Sequence, residues 1–577
     1  MCNESEKVVY SGINQPIKVD FVNLNLAAVE SIKNSKLYKN AAKVHPSAEN
    51  HEKLMLASTV TTNNWDTVSI CRVTALNARI KNQKTYPADI SYTESSLSLS
   101  GNFDAWQIVP GGDGRNVKLK LPMKSGTYVG MDFGKGTSFD LANVSVDIYV
   151  KLNYLPVPEP TAKDGTYDLH VNTTKVSESE PIASVISLDD PSETIDNLNK
   201  SILRGLFEKW LNLSENLEKF NTLFATVLIN NMGEKSEDFK WLRATSISYA
   251  YTDKNTEDSS IFGILCMTNN RSAAGLPNQL PAVDLQQDDN AVFLISREIF
   301  VKYQLIPSLP YVFSDSPDAQ YIVDEAGTTV TTHNLKMDNV KVGAIDYHPV
   351  AENFEICFDE TFIRTSAKIR TNISPGIDAT TTITTKQTLG LGKNDKGEQV
   401  MTYEMIGDPD VQNSTDIAAW VVVTEAVIAL IGAVVVAIVA VVASLLVATI
   451  VAIVVAIVIA VVGIIIHVII QEAIAGSVTG KLPNIAPMVK VATNQIKWPF
   501  CAEDAFVLKD IDYSGAISFN GNLKLLDSYK IVNKRLVPIA FGAEHDVVDR
   551  LESIEAEIRE IGNRLRRIDQ RLSKVIM

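Results

Sequence analysis

The sequence predicts an α+β protein in which antiparallel sheet encloses long helices and a coiled-coil-type helix closes the chain. Three observations carry this. Residues 426–471 form 46 consecutive positions without a charged side chain, in a chain of formal net charge −15. Short alternating apolar and polar runs, bounded by turn clusters, fill the sequence on both sides of that segment. A second apolar stripe at helical spacing occupies 195–224.

In the uncharged segment, Val and Ile favour strand, but the alanines decide for helix. Ala426, Ala429, Ala433, Ala437, Ala440, Ala443, Ala448, Ala452, Ala456 and Ala460 recur every three to five positions, where a strand requires steps of two. One long helix inserted over 417–475 is expected, with a small-residue face that lets a neighbouring backbone approach closely. At helical rise the uncharged part spans roughly 69 Å, about twice the hydrocarbon thickness of a bilayer. No Pro or Asn-Gly lies between Gly432 and Gly463 to turn it into a hairpin. A pair of transmembrane helices is the competing reading. The flanks offer Asp416, Glu425, Glu472 and Lys481, with Trp420 as the one flanking aromatic, rather than basic clusters and aromatic belts. A helix sheathed by sheet fits better, and a soluble form that releases it into a bilayer stays open.

Along the chain, 1–58 reads as an N-terminal extension with a helical stretch near Leu24 to Leu37. A first sheet segment fills 59–160, with strands such as Ser96-Leu97-Ser98-Leu99-Ser100 and Val117-Lys118-Leu119-Lys120-Leu121, and ends at the Pro156-Val157-Pro158-Glu159-Pro160 connector. Over 161–320, strand Ile182-Ala183-Ser184-Val185-Ile186 precedes a helix opened by Asp190-Pro191-Ser192-Glu193 as a capping-box variant. Its stripe of Ile195, Leu198, Ile202, Leu206, Trp210, Leu213, Leu217, Phe220 and Phe224 predicts one long amphipathic helix. The segment 321–542 holds more sheet, with Thr-rich strands expected to face solvent and strands returning between Met488 and Leu526 after the apolar helix. In 543–577, Leu551, Ile554, Ile558, Ile561, Leu565, Ile568, Leu572 and Val575 alternate steps of three and four, a coiled-coil repeat suited to homo-oligomerisation or to docking on the body.

Composition excludes several functions. Five cysteines without CxxC spacing read as structural thiols in a reducing compartment. The polar, acidic start lacks a signal-peptide pattern, so synthesis in the cytoplasm is expected, with any release by a route that needs no signal. An acidic balance without basic runs argues against nucleic acid. Seven histidines form no HExxH and no metal spacing, and neither a GxSxG elbow nor a Walker loop occurs. Gly111-Gly112-Asp113-Gly114 reads as a tight loop between strands rather than a cation site. No enzyme, no metal and no cofactor is expected.

Blocks spread over roughly 60–530 carry a resemblance: Asn64-Trp65-Asp66-Thr67-Val68, Trp106-Gln107-Ile108, Gly111-Gly112-Asp113-Gly114-Arg115-Asn116-Val117, Lys124-Ser125-Gly126-Thr127-Tyr128, Trp241-Leu242-Arg243-Ala244-Thr245, Gly263-Ile264-Leu265-Cys266-Met267-Thr268, Ser374-Pro375-Gly376-Ile377-Asp378 and Lys497-Trp498-Pro499-Phe500. Together they resemble the clostridial forty-seven-kilodalton protein family. The resemblance implies a home in botulinum-type neurotoxin gene clusters or related insecticidal loci. It further implies a fold similar to tubular lipid-binding (TULIP) proteins, elongated and strongly curved, with an apolar groove. On that basis the expected function is a non-enzymatic lipid- or membrane-interacting accessory protein of a bacterial toxin system, with toxin-complex proteins as further partners. Leu206, Trp210, Leu213, Leu217, Val434, Ile438, Val441 and Leu445 are the candidate lipid-contacting residues. The alternatives are a membrane-inserting toxin that releases 417–475, and a structural scaffold.

Overall fold

The computed structural model describes residues 59–525, apart from 133–134, 157–164, 172–180, 221–222, 230–238, 284, 286–288, 459–467, 469–481 and 500, together with the strands 8–10, 16–18, 529–532 and 535–538. The chain divides into two compact units, Met1–Lys524 and Leu525–Met577. Of the second, the hairpin Tyr529–Val532 with Arg535–Pro538 is described. The heptad residues Leu551, Ile554, Ile558, Ile561, Leu565, Ile568, Leu572 and Val575 lie outside the described residues, as do the predicted helix near 24–37 and nearly all of the extension.

The first unit is mainly antiparallel sheet with few helices, in agreement with the predicted α+β class. A seven-stranded first sheet runs Ala183–Asp189, Ser145–Val150, Val117–Asp132, Leu97–Phe103, Asp89–Glu94, with Gln107–Ile108 and Lys135–Asp140 also paired to its long central strand. A central sheet, also of seven strands, runs Cys501–Tyr513, Ala516–Leu525, Ala291–Ser296, Thr67–Arg72, Ile261–Thr268, Ala244–Thr252, Asp113–Gly114. Its strands therefore come from distant stretches of sequence. A large eight-stranded sheet is built on Val350–Phe358, Ile363–Ser374 and Ile377–Lys393, and Asp410–Ile417 pairs with the last of these. A small sheet joins Leu152–Pro156, Thr166–Val171, Ala225–Leu228 and Ile496–Lys497. In the Thr-rich strand Ile377–Lys393 one face is buried, including Thr381 and Thr385, so the expected solvent-facing strand faces solvent on one side only.

Seven helices are named here: α1 (Val73–Gln83), α2 (Asn197–Leu211), α3 (Ser214–Lys219), α4 (Arg297–Phe300), α5 (Ile306–Val312), α6 (Glu425–Val458) and α7 (Ala486–Thr493). α1 falls within the stretch read as sheet alone, and α4 and α5, separated by a π-turn at Val301–Leu305, carry no sequence expectation.

The predicted helix over 195–224 is corrected in two ways. Its start is Asp196, whose carboxylate accepts the Asn199 amide at 3.0 Å, whereas Asp190 instead binds the amides of Ser192 and Ile195 in a turn ahead of the helix. It then breaks at Asn212. There the side chain accepts from Ile182 N at 2.8 Å and donates to Ala183 O at 2.8 Å, which satisfies the end of strand Ala183–Asp189. Those bonds replace the next helical turn, and Leu213 is extended (φ −70°, ψ 134°) before α3 begins. α2 itself shields an edge of the first sheet, with Arg204 donating to Ile186 O at 2.7 Å and Glu208 accepting from Val185 N at 2.9 Å.

α6 runs without a break from Glu425 to Val458, and the rest of the predicted helix, 459–475, lies outside the described residues except for 468. The start differs: 410–417 is strand, and the helix begins at Glu425, where Thr424 Oγ1 accepts from Val427 N at 3.3 Å. Ile431, Val434, Val435, Ile438, Val439 and Val442 are buried in the core that α6 shares with the large sheet. Every residue from 449 to 458 is buried. The alanine face does not behave as one surface. Ala426, Ala429, Ala433 and Ala440 are exposed, and Ala452 and Ala456 are fully buried. The bulkier Val and Ile side chains take the core side first because they remove more apolar area from water. Finally, the stretch from Met488 opens as helix α7 before strands resume at Ile496.

Candidate functional site

The eight residues predicted to contact lipid do not converge. Leu206, Trp210 and Leu217 are buried and Leu213 is half-buried, with Trp210 packed against Phe103 at 5.6 Å between ring centres. Val434 and Ile438 are buried in the α6 core, where Val441 and Leu445 are half-buried. The first set packs against the first sheet, and the second lies in the core that α6 shares with the large sheet.

A cavity of about 380 Å³ lies instead between α7, the strands Ile496–Lys497 and Cys501–Tyr513, and the central-sheet strands Thr67–Arg72 and Ala291–Ser296. Ile70, Val292, Phe293, Ile496, Trp498 and Phe506 contribute apolar wall. Lys490, Thr493, Asn494 and Lys497 add polar groups, and both lysines are exposed.

Local chemistry fixes this wall. Asn484 accepts the Ala486 amide at 2.9 Å ahead of Pro487, which suits the first turn because proline has no N–H to satisfy. After α7 the buried Gln495 accepts from Ala244 N at 2.9 Å and donates to Leu242 O at 3.1 Å, while its own carbonyl accepts from Leu228 N at 2.9 Å. These bonds place Lys497 opposite Thr226 and Ile496 opposite Val227 in the small sheet. Trp498 is then held edge-on to Phe262 at 6.4 Å, and Cys501 N donates to Trp498 O at 3.0 Å. Burial pushes the thiol of Cys501 well up, and that of Cys71 nearby for the same reason, so both are neutral and poor nucleophiles.

Such a pocket suits an apolar tail against Ile70, Val292 and Phe293 and an acidic head near Lys490 and Lys497. Its volume, at the low end for ligand pockets, fits one chain of an amphiphile better than a whole diacyl lipid. Among the described residues no group of His, Cys, Asp and Glu is arranged to hold a metal ion. His170, His333 and His348 bind Asp168, Glu352 O and Asn339 at separate places. The Gly111-Gly112-Asp113-Gly114 segment is a tight loop in which a side chain on Gly112 would meet Asn116 O at 2.5 Å. Sequence reasoning missed the cavity, although the Lys497-Trp498-Pro499-Phe500 block contains two of its lining residues.

Fold and cavity together define a mostly antiparallel α+β protein with a small, partly open pocket beside α7. Its fold is shared by P47 from Clostridium botulinum A2, with a TM-score of 0.52 at 17% identity over 80% of this chain and 98% of that one. The profile of the OrfX-like family, Protein OrfX2/OrfX3/P47, matches residues 62–521, and the chain belongs to this family of clostridial neurotoxin-cluster proteins. It is 27% identical to Protein OrfX3 of Clostridium botulinum (strain Kyoto / Type A2) over 408 residues, 64% of this chain and 82% of that protein. It is 28% identical to Protein OrfX3 of Paraclostridium bifermentans over 380 residues, 61% and 77% of the two chains.

Proposed function

We propose that the chain is a non-enzymatic accessory protein of a bacterial toxin system that holds an amphipathic lipid, its sheets enclosing helices in the manner of tubular lipid-binding proteins. The observation that supports this reading is the cavity beneath α7, with an apolar wall and Lys490 and Lys497 beside it. Toxin-complex proteins are its proposed partners, and the heptads of 551–575 a route to self-association, which deletion of 544–577 followed by sedimentation tests.

Native mass spectrometry of protein purified without detergent, followed by lipid extraction, tests the lipid reading. A bound species of lipid mass is expected, lost in Ala505→Phe, which fills the cavity, and weakened in the surface pair Lys490→Glu and Lys497→Glu. A ligand-free wild type that also takes up no added fatty acid overturns it.

A further inference from the structure

Trp420 is 70% exposed and Val422 is 58% exposed, and they stand together immediately ahead of α6. The indole is not loose. It lies on Gly376 at the turn between strands Ile363–Ser374 and Ile377–Lys393, so closely that a Cβ on that glycine would sit 2.6 Å from ring atom Cζ2. Ala418 N donates to Gly376 O at 2.8 Å and ties the lead-in segment to the same turn. A glycine pedestal thus presents a large aromatic side chain to solvent, where a side chain at 376 would displace it.

Next in sequence, α6 exposes Ala426, Ala429, Ala433 and Ala440 on one helical face, a length of about 21 Å at helical rise. From 426 to 443 there is no side chain able to form a hydrogen bond. Protein interfaces carry roughly one hydrogen bond per 100–200 Å² and a polar rim, which this face lacks over its length. A bilayer interface asks for the opposite: an apolar face without polar groups, and an indole whose apolar body is buried while its N–H stays wet. Asp416 and Glu425 at the margin repel anionic lipid, and the sequence from 397 to 480 contains no Lys or Arg.

We propose that Trp420, Val422 and the exposed first half of α6 form a docking surface for a zwitterionic bilayer, on which the protein lies with the second half of α6 kept in its core. This surface is independent of the cavity, which none of these residues lines.

The test uses the full chain and vesicles of palmitoyl-oleoyl phosphatidylcholine. Of the six tryptophans, Trp65, Trp106, Trp210, Trp241 and Trp498 are 7% exposed or less, so acrylamide quenching of emission reports on Trp420. Vesicles are expected to protect the emission from acrylamide, vesicles brominated in the acyl chains to quench it, and an entrapped dye to stay inside. Trp420→Ala and Ala433→Lys are expected to weaken co-flotation about tenfold each, with unchanged far-UV circular dichroism, and Ala505→Phe to dock like wild type. Unprotected emission at saturating vesicles overturns the proposal. So does dye release, which means that α6 leaves the core, and so does a wild-type dimer that Ala433→Lys converts to monomer, which assigns the face to a second copy.

Discussion

The two halves of α6 are written in the same alphabet of Val, Ile, Ala and Leu, yet one is enclosed and the other lies along the surface. In the first half, Ile431, Val434, Val435, Ile438 and Val439 are buried while Ala426, Ala429 and Ala433 face outward. From 449 to 458 no residue reaches solvent. Composition is therefore silent about where such a helix ends up, and the surrounding strands decide. Where water-facing positions on a soluble helix normally carry charge, here they carry methyl groups, and that is the departure needing a use.

The largest predicted effect separates the halves by charge. Val454→Asp places a carboxylate among apolar atoms with no partner on its own helix, at a cost of several kcal/mol against a total stability of about 5–15 kcal/mol. Loss of cooperative unfolding, or insoluble protein, is expected. Ala433→Asp costs only the helix propensity, about 0.5–1 kcal/mol in a denaturant titration. Equal losses at the two sites mean that the first half is covered after all.

Cavity formation gives the next effect. Ile453→Ala removes a side chain 1% exposed and is expected to lose about 2–5 kcal/mol, as core truncations do. Ile428→Ala, at a half-buried position, is expected to lose less than about 1.5 kcal/mol. Chemical denaturation of both, with m-values compared, checks the ratio. A loss at Ile428 as large as that at Ile453 removes the contrast between the halves.

Much of this was legible before any coordinates. The existence of α6 followed from its composition and from the absence of turn chemistry, and strand Val117–Asp132 followed from alternation at its start. The break in the 195–224 stripe was not legible, because its cause is the bonding of Asn212 to a strand end some 30 residues earlier. Periodicity reports which residues share a helical face and cannot report a polar side chain capturing a distant backbone. The cavity was hidden for a related reason. Its walls come from 69–70, 228, 291–293, 490–498, 501, 505–506 and 523, which meet only when the sheets assemble. The lipid-contact residues were chosen for being apolar at helical spacing, a property that core packing requires equally.

A smaller effect than either core change is predicted at the glycine that supports Trp420. Gly376 sits at φ +82°, where any other residue is strained by roughly 1 kcal/mol or more, and an added Cβ collides with Trp420 and Val421. Because the indole is largely exposed, it has room to swing away, so the collision adds little beyond the backbone cost. Gly376→Ala is therefore expected to lose about 1–2 kcal/mol in total, and the double variant with Trp420→Ala to recover only the collision part. A double-mutant cycle by denaturation measures that coupling. Acrylamide quenching of Gly376→Ala adds the sharper readout, since an indole lifted from its pedestal changes its accessibility while the five buried tryptophans stay shielded. A coupling of zero, with quenching unchanged, means that the ring does not rest on the glycine, and the presentation of Trp420 then has no structural cause at the turn.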